Sequence, residues 1–115
     1  MEARAIARFV RCAPRKLRRQ ADMVRGKHLE DAQALLFLAR SPAARVVRRV
    51  LDSAAANAEN NHDMDPKSLR VSVIYIDESR RIVTRVRARA RGRRERRMRR
   101  LSHITVVLTD ESDEK

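Results

Sequence analysis

Aromatic residues, glycine, proline and cysteine are all scarce in this chain of 115 residues. It contains two Phe, one Tyr and no Trp, so its core must consist of Ala, Val, Leu, Ile and Met, and it must be small. The single cysteine, Cys12, excludes an internal disulfide framework and a cysteine-rich zinc site. A lone thiol also favours a reducing compartment.

Long apolar runs are absent as well. No stretch of about 18 apolar residues offers a membrane-spanning helix. The N-terminal segment MEARAIARFVRCAPRK has arginines where a signal peptide has its apolar region. We therefore expect a cytoplasmic protein without a membrane partner. The length fits one domain, residues 1–115, because so short a chain cannot build two sizeable cores.

Acidic residues are nearly missing from residues 79–101, which hold twelve arginines and one acid, Glu95. The remainder has sixteen basic and fourteen acidic side chains, so most of the formal net charge of +13 belongs to this segment. Its stretch RVRARARGRR has arginine at every odd position from Arg85 to Arg93. A period of two places these side chains on one face of a β-ribbon, whereas a helix would scatter them around its circumference.

Strand and helix signals precede this segment. Residues 2–11 are predicted to form a strand that stops before Pro14. The first helix begins at Pro14, buries a stripe of Leu17, Ala21 and Val24, and ends at Gly26. A second helix is predicted at about 29–40, with acids in its first turn.

A third helix is predicted from Pro42 to about residue 61, with Ser41 as its N-cap. Its buried stripe is Ala43, Val47, Val50, Leu51, Ala54 and Ala58. The Ala-rich run SAAANAENN on this helix lacks bulky groups and allows another element to pack closely against it.

Residues 69–77 and 102–110 have the β-branched composition of strands. The intervening residues, about two dozen, contain no proline and form either a long loop or a continuation of both strands into an extended hairpin. The alternating arginines favour the hairpin, residues 79–101. The acidic tail, residues 110–115, is expected to be a solvated end.

The arginine segment predicts a nucleic-acid partner. Each guanidinium is a planar donor fork that matches phosphate and stacks on bases. A ribbon of such groups projecting from a core repels itself, and a polyanion relieves this repulsion. Basic residues of the first helix and of the first strand add a second surface, which suggests a folded RNA that surrounds the protein. The alternative is a solvated basic tail that binds anions loosely.

Other candidate sites are weak. His28, His62 and His103 lie on three elements without ligand-like spacing, so surface or capping histidines are expected instead of metal ligands. Cys12 has no histidine near it in sequence and is interpreted as a packed or half-exposed thiol. The acids Asp22, Glu30, Asp31, Asp52 and Glu59 are interpreted as helix-surface charges. We expect no enzyme, no cofactor and no metal.

Three stretches resemble one known family. APRKLRRQADMVRGK (13–27), VLDSAAANAENNHDM (50–64) and RARGRRERRMRRLSHITVVL (89–108) are similar, in order, to the large-subunit ribosomal protein twenty-two family. The resemblance implies an α+β fold, with three helices on a three-stranded antiparallel sheet and a long protruding β-hairpin. It also implies a structural role in the large ribosomal subunit, where the hairpin threads through rRNA and its tip lines the peptide exit tunnel.

The expected partners are large-subunit rRNA, neighbouring large-subunit proteins and the nascent peptide, with no homo-oligomer. The expected rRNA-binding residues are Arg15, Lys16, Arg18, Arg19, Arg25, Lys27, Arg80, Arg81, Arg85, Arg87, Arg89, Arg91, Arg93, Arg94, Arg96, Arg97, Arg99 and Arg100. The expected tunnel-facing tip is Arg87, Ala88, Arg89, Ala90, Arg91, Gly92 and Arg93.

The chain departs from the family pattern at a few positions. It has Ser79-Arg80 in place of Gly-Pro, Ala88 in place of Pro, Arg94 in place of Ala, and one residue more near position 80. Ala13 replaces a serine that would cap the first helix, at a cost of about 1 kcal/mol.

Two other functions fit a small basic protein. An architectural DNA-binding module would bind duplex DNA and rRNA with similar affinity. A cationic membrane-active or heparin-like binder would need apolar side chains to enter lipid, and the arginine segment has no Trp or Phe.

Overall fold

Three helices and three strands follow one another in the order that the sequence predicts. The elements are β1 (Glu2–Val10), α1 (Pro14–Val24), α2 (Leu29–Leu38), α3 (Pro42–His62), β2 (Leu69–Ala88) and β3 (Arg94–Asp110), with a 3-10 turn at Pro66–Ser68. The computed structural model describes residues 2–88 and 94–110, with the backbone pairing alone for 80–88 and 94–99. All strands are antiparallel, in the order β1-β3-β2, which confirms the α+β class.

The core lies between the helices and one face of the sheet. Central strand β3 contributes alternate residues Ile104, Val106 and Leu108, each fully buried. Its neighbours fill the flanks of this face: β1 supplies only small side chains, Ala3 and Ala5, and β2 supplies Val71, Ile74 and Ile76. Because β1 buries little more than alanine, its two faces do not separate clearly in the sequence.

Helix α3 packs on β1 and β3 and supplies the longest buried stripe. The predicted N-cap is confirmed: the Ser41 hydroxyl accepts a hydrogen bond from the Ala43 N–H at 3.2 Å. The stripe is buried along its whole length: Ala43, Val47, Val50, Leu51, Ala54 and Ala58. The helix ends where Asp63 adopts a left-handed conformation with φ of 52°.

Helix α1 begins without a side-chain cap. Pro14 occupies its first turn, but Ala13 at the N-cap makes no side-chain hydrogen bond, as the replaced serine predicts. The first turn has no acid and instead contains Arg15 and Lys16. Positive side chains are unfavourable there because the helix dipole already makes this end positive.

We expect Ala13→Ser to stabilise the isolated protein by about 1 kcal/mol, since its hydroxyl can accept from an N–H of the first turn. The melting temperature should rise by about 4 °C, measured by circular dichroism. Ala56→Ser, at an exposed position inside α3, is the control and should not raise the melting temperature. Equal melting temperatures for Ala13→Ser and wild type would contradict the assignment of Ala13 as a missing cap.

Beyond the core, β2 and β3 continue as a two-stranded arm. The ladder runs from Leu69 opposite Asp110 to Ala88 opposite Arg94, so the predicted hairpin is confirmed over its described residues. Residues 79–88 lie opposite the eight residues 94–101, which at about 3.3 Å per residue extend by about 26 Å. The longest dimension of the molecule is 65 Å, against 25 and 23 Å for the others. The bend and residues 89–93 lie outside the described part.

The arm strand β2 carries irregularities that β3 lacks. Register shifts between Val71 and Val73, Glu78 and Arg81, and Val83 and Arg85 each place one extra residue on β2. The second shift coincides with the position near residue 80 where the sequence exceeds the family pattern. Each bulge bends the strand and increases its twist. The extra residue stays within the bulge, and the ladder continues on both sides of it.

None of the three aromatic side chains enters the core. Phe9 is 49 % exposed, Phe37 72 % and Tyr75 45 %. The expectation of a small core built from aliphatic side chains is confirmed, and the aromatic rings lie on the surface instead. Helix α2 ends at Leu38, two residues earlier than predicted, because Ala39 is already extended on the approach to Pro42.

Candidate nucleic-acid interface

The outer surface of α1 and the base of the arm form one basic groove. Its volume is about 760 Å³. It is lined by Ala13, by residues of α1 between Pro14 and Asp22, and by Glu78 and Arg100 at the base of the arm. Five basic side chains face two acidic ones there: Arg15, Lys16, Arg18, Arg19 and Arg100 against Asp22 and Glu78. The structure therefore brings together basic residues of α1 and an arm residue, Arg100, that are more than 80 positions apart in sequence.

Glu78 and Arg100 mark the point where the core becomes the arm. The Arg100 Nε lies 3.7 Å from the Glu78 Oε1, and both side chains are about half exposed. An ion pair this exposed contributes little to stability. Its effect is on the charge of the groove, where Glu78 offsets part of the basic surface.

Two of the predicted binding residues also protect an edge strand. Strand β2 is at the edge of the sheet, and unpaired edge carbonyls invite pairing with another chain. The Arg18 guanidinium donates to the carbonyl of Ile76 at 3.1 Å, and that of Arg25 donates to the carbonyl of Ile74 at 2.9 Å. Arg25 also pairs with Asp22 at 2.6 Å.

The turn after α1 completes this protection. Gly26 has φ of 78°, and its N–H donates to the carbonyl of Val71 at 3.0 Å, while the Val71 N–H donates to the carbonyl of Lys27 at 2.9 Å. A bridge between His28 and Arg70 extends the pairing. The sequence predicted Gly26 as a helix end but gave no signal for this contact, which depends on a residue 45 positions away.

The remaining predicted residues lie along the arm. In its register Arg81 is opposite Arg100, Arg85 opposite Arg97, and Arg87 opposite Glu95. The first two pairs oppose like charges, which destabilise a β-ladder, whereas the third opposes unlike charges. Arg89, Arg91 and Arg93, with the rest of the predicted tip from residue 89 onward, lie outside the described residues, as does the acidic tail from residue 111.

The other polar candidates show no chemistry of their own. Burial raises the pKa of the Cys12 thiol above its usual value, although nearby Lys16 opposes the shift, so the thiol is not activated. No group of His, Cys, Asp and Glu suited to a metal exists within residues 2–88 and 94–110. In that same part of the chain, no helix combines the length and apolar character needed to cross a bilayer.

His103 has a structural partner that the sequence did not reveal. Its Nδ1 accepts a hydrogen bond from the Phe9 N–H at 3.1 Å, and the two rings meet edge to face at 4.9 Å. This contact lies on the sheet face opposite the helices.

A small α+β core with a basic helix face and an arginine-rich two-stranded arm is typical of small basic ribosomal proteins. Residues 5–109 match the family model described as Ribosomal protein L22p/L17e. The chain belongs to this family.

Curated relatives are similar over nearly their whole length. "Large ribosomal subunit protein uL22" of Syntrophomonas wolfei subsp. wolfei is 54 % identical over 110 residues, which is 96 % of each chain. The protein of the same name from Thermus thermophilus is 51 % identical over 108 residues, or 94 % of this chain and 95 % of its own. That of Desulforamulus reducens is 48 % identical over 113 residues, or 98 % and 99 %.

Proposed function

We propose that this chain is a structural constituent of the large ribosomal subunit that binds rRNA through the basic groove and the arm. Family membership supports the place in the large subunit, with rRNA and neighbouring proteins as partners. The relatives named above are bacterial, and bacterial ribosomes are cytoplasmic, so we assign the chain to the cytoplasm. The family is a structural one, and the proposed role includes no catalysis.

The observation that carries the proposal is the continuation of β2 and β3 beyond the core as a two-stranded arm. Residues 79–101 hold twelve arginines and one acid, and no third strand pairs with them among the described residues. Their mutual repulsion is relieved when phosphates lie between them, because bound arginines replace the counterions of the RNA. The arm and the RNA thereby order each other.

The groove supports the same partner from the core side. Arg15 and Lys16 stand at the positive end of α1, where backbone N–H groups and side chains together favour an anion. Arg19, Arg25 and Lys27 are also exposed on α1 and the turn that follows it. Contacts through both the groove and the arm would let one protein bridge two rRNA domains during assembly.

We further propose that the arm tip, residues 87–93, lines the peptide exit tunnel and meets the nascent chain. Support comes from the family resemblance and from the length of the arm, about 26 Å over residues 79–88, which reaches well beyond the core. The small residues Ala88, Ala90 and Gly92 suit passage between RNA strands.

Sedimentation tests the proposal. A tagged chain expressed in its host should migrate with the large subunit in a sucrose gradient after a high-salt wash, since an arm enclosed by RNA exchanges slowly. Release into the light fractions would contradict an integral ribosomal role and would favour a loosely held architectural nucleic-acid binder.

A further inference from the structure

The sheet face opposite the helices is an apolar surface that none of the described elements covers. Ile6 is 50 % exposed, Val73 43 % and Tyr75 45 %, and Phe9 is exposed to a similar degree. Register places Ile6 and Tyr75 on either side of Thr105, in one row across the three strands. Because neighbouring strands are about 4.8 Å apart, β1 and β2 side chains in a row stand about 10 Å from each other.

Phe9 is held on this face at a conformational cost. Its φ of 55° is rare for an aromatic residue, and it lies in the irregularity of β1 between Ala7 and Val10. The hydrogen bond from its N–H to His103 Nδ1 and the edge-to-face ring contact fix this geometry. Because the Phe9 side chain stays half exposed, its burial does not account for the strained backbone. Backbone strain of this kind concentrates at binding sites.

Beside Phe9 the face contains a cavity of about 310 Å³, lined by Ile6, Arg8, Phe9, Asp77, His103 and Thr105. It combines apolar walls with both kinds of hydrogen-bonding group. Arg8 is a donor and Asp77 an acceptor, and because His103 Nδ1 accepts from Phe9, the proton of its neutral ring lies on Nε2. A flat group with donors and acceptors on its edge fits such a cavity.

We propose that this face is a second RNA site, which binds unpaired bases. Phe9 and Tyr75 stack on the bases, Asp77 and His103 contact a base edge in the cavity, and exposed Arg4 and Arg8 pair with phosphates. The inference rests on the proposed function and adds to it a surface distinct from the groove and the arm. Unpaired bases are favoured over a protein partner because exposed arginines flank the rings and the whole chain is strongly basic.

The aromatic composition of the chain provides a direct test. Tyr75 is the only tyrosine and there is no tryptophan, so intrinsic fluorescence reports on this face alone. Hexaadenylate should quench the emission of the full-length protein, because a stacked base contacts the ring. Inorganic polyphosphate, which has no bases, should bind the basic surfaces without quenching. Quenching by both or by neither would overturn the proposal.

Three substitutions remove an aromatic ring without changing the net charge, so they test the contribution of stacking. Phe9→Leu should raise the hexaadenylate concentration that gives half-maximal quenching about tenfold, within the range for the loss of one stacked base. Tyr75→Leu should weaken binding of labelled hexaadenylate similarly, measured by anisotropy. Phe37→Leu, an exposed phenylalanine on α2 away from this face, is the matched control and should bind like wild type. Circular dichroism verifies that each variant is folded.

The outcomes separate this inference from the proposed function. If both variants bind hexaadenylate like wild type while the wild type co-sediments with the large subunit, the second RNA site is wrong and the ribosomal role stands. If Phe9→Leu fails to co-sediment although its affinity for hexaadenylate is unchanged, the face contacts a neighbouring protein, which also overturns the inference. A wild type that leaves the subunit in high salt contradicts the proposed function itself.

Discussion

Excision of the arm should leave a folded core that binds folded rRNA about 10³-fold more weakly. Because Arg81 and Arg100 are paired across the ladder, residues 82–99 can be replaced by a two-residue Asn-Gly turn without a change of register. The excised segment contains nine arginines and one acid. The slope of log affinity against log salt concentration should become less steep by up to about six. With fewer phosphate contacts, binding releases fewer counterions from the RNA. Filter binding to host large-subunit rRNA at several salt concentrations measures both quantities.

A matched control keeps the length and charge of the arm. Lysine at the nine arginine positions should preserve the salt slope but lower the affinity, because the ammonium group lacks the planar fork that pairs with phosphate. The core of the excised chain should melt near the wild-type temperature, since the buried cluster that the structure describes lies in residues 3–76 and 104–108. An excised chain that binds rRNA as tightly as wild type would refute the central role of the arm.

The prediction of the arm illustrates which features a sequence can specify. Alternation from Arg85 to Arg93 depends only on neighbouring positions, and it correctly indicated that β2 and β3 continue beyond the core. The stripe of α3 was equally accessible, because helical spacing is local. The boundaries of α1 and α3 followed from Pro14, Gly26 and Ser41, each of which has a conformational preference that acts on adjacent residues.

The contacts that could not be predicted all join distant parts of the chain. Arg18 and Arg25 were expected to bind RNA, and composition gave no sign that their guanidinium groups also bind the carbonyls of Ile76 and Ile74. That contact exists because α1 packs beside an edge strand, which only the strand order determines. Likewise, Phe9 and His103 are 94 residues apart and meet because β1 pairs with β3.

Close packing of α3 on the sheet should make small residues there irreplaceable. Ala54 is fully buried on this helix, and Asn57, less than a turn away, donates to the carbonyl of Arg4 in β1 at 2.9 Å. Leucine at position 54 adds three carbons to a fully buried site on the helix that packs against β1 and β3. We expect Ala54→Leu to lower the free energy of unfolding by about 2–3 kcal/mol and the melting temperature by about 10 °C.

Ala56→Leu is the matched control for this prediction, because Ala56 lies on the exposed side of the same helix and the substitution is identical. Leucine is a good helix former, so this variant should stay within about 0.5 kcal/mol of wild type. Equal stability of the two variants in urea unfolding would mean that the core has room for the larger side chain. A selective loss in Ala54→Leu would show that the Ala-rich run holds α3 closely against the sheet whose strands extend into the arm.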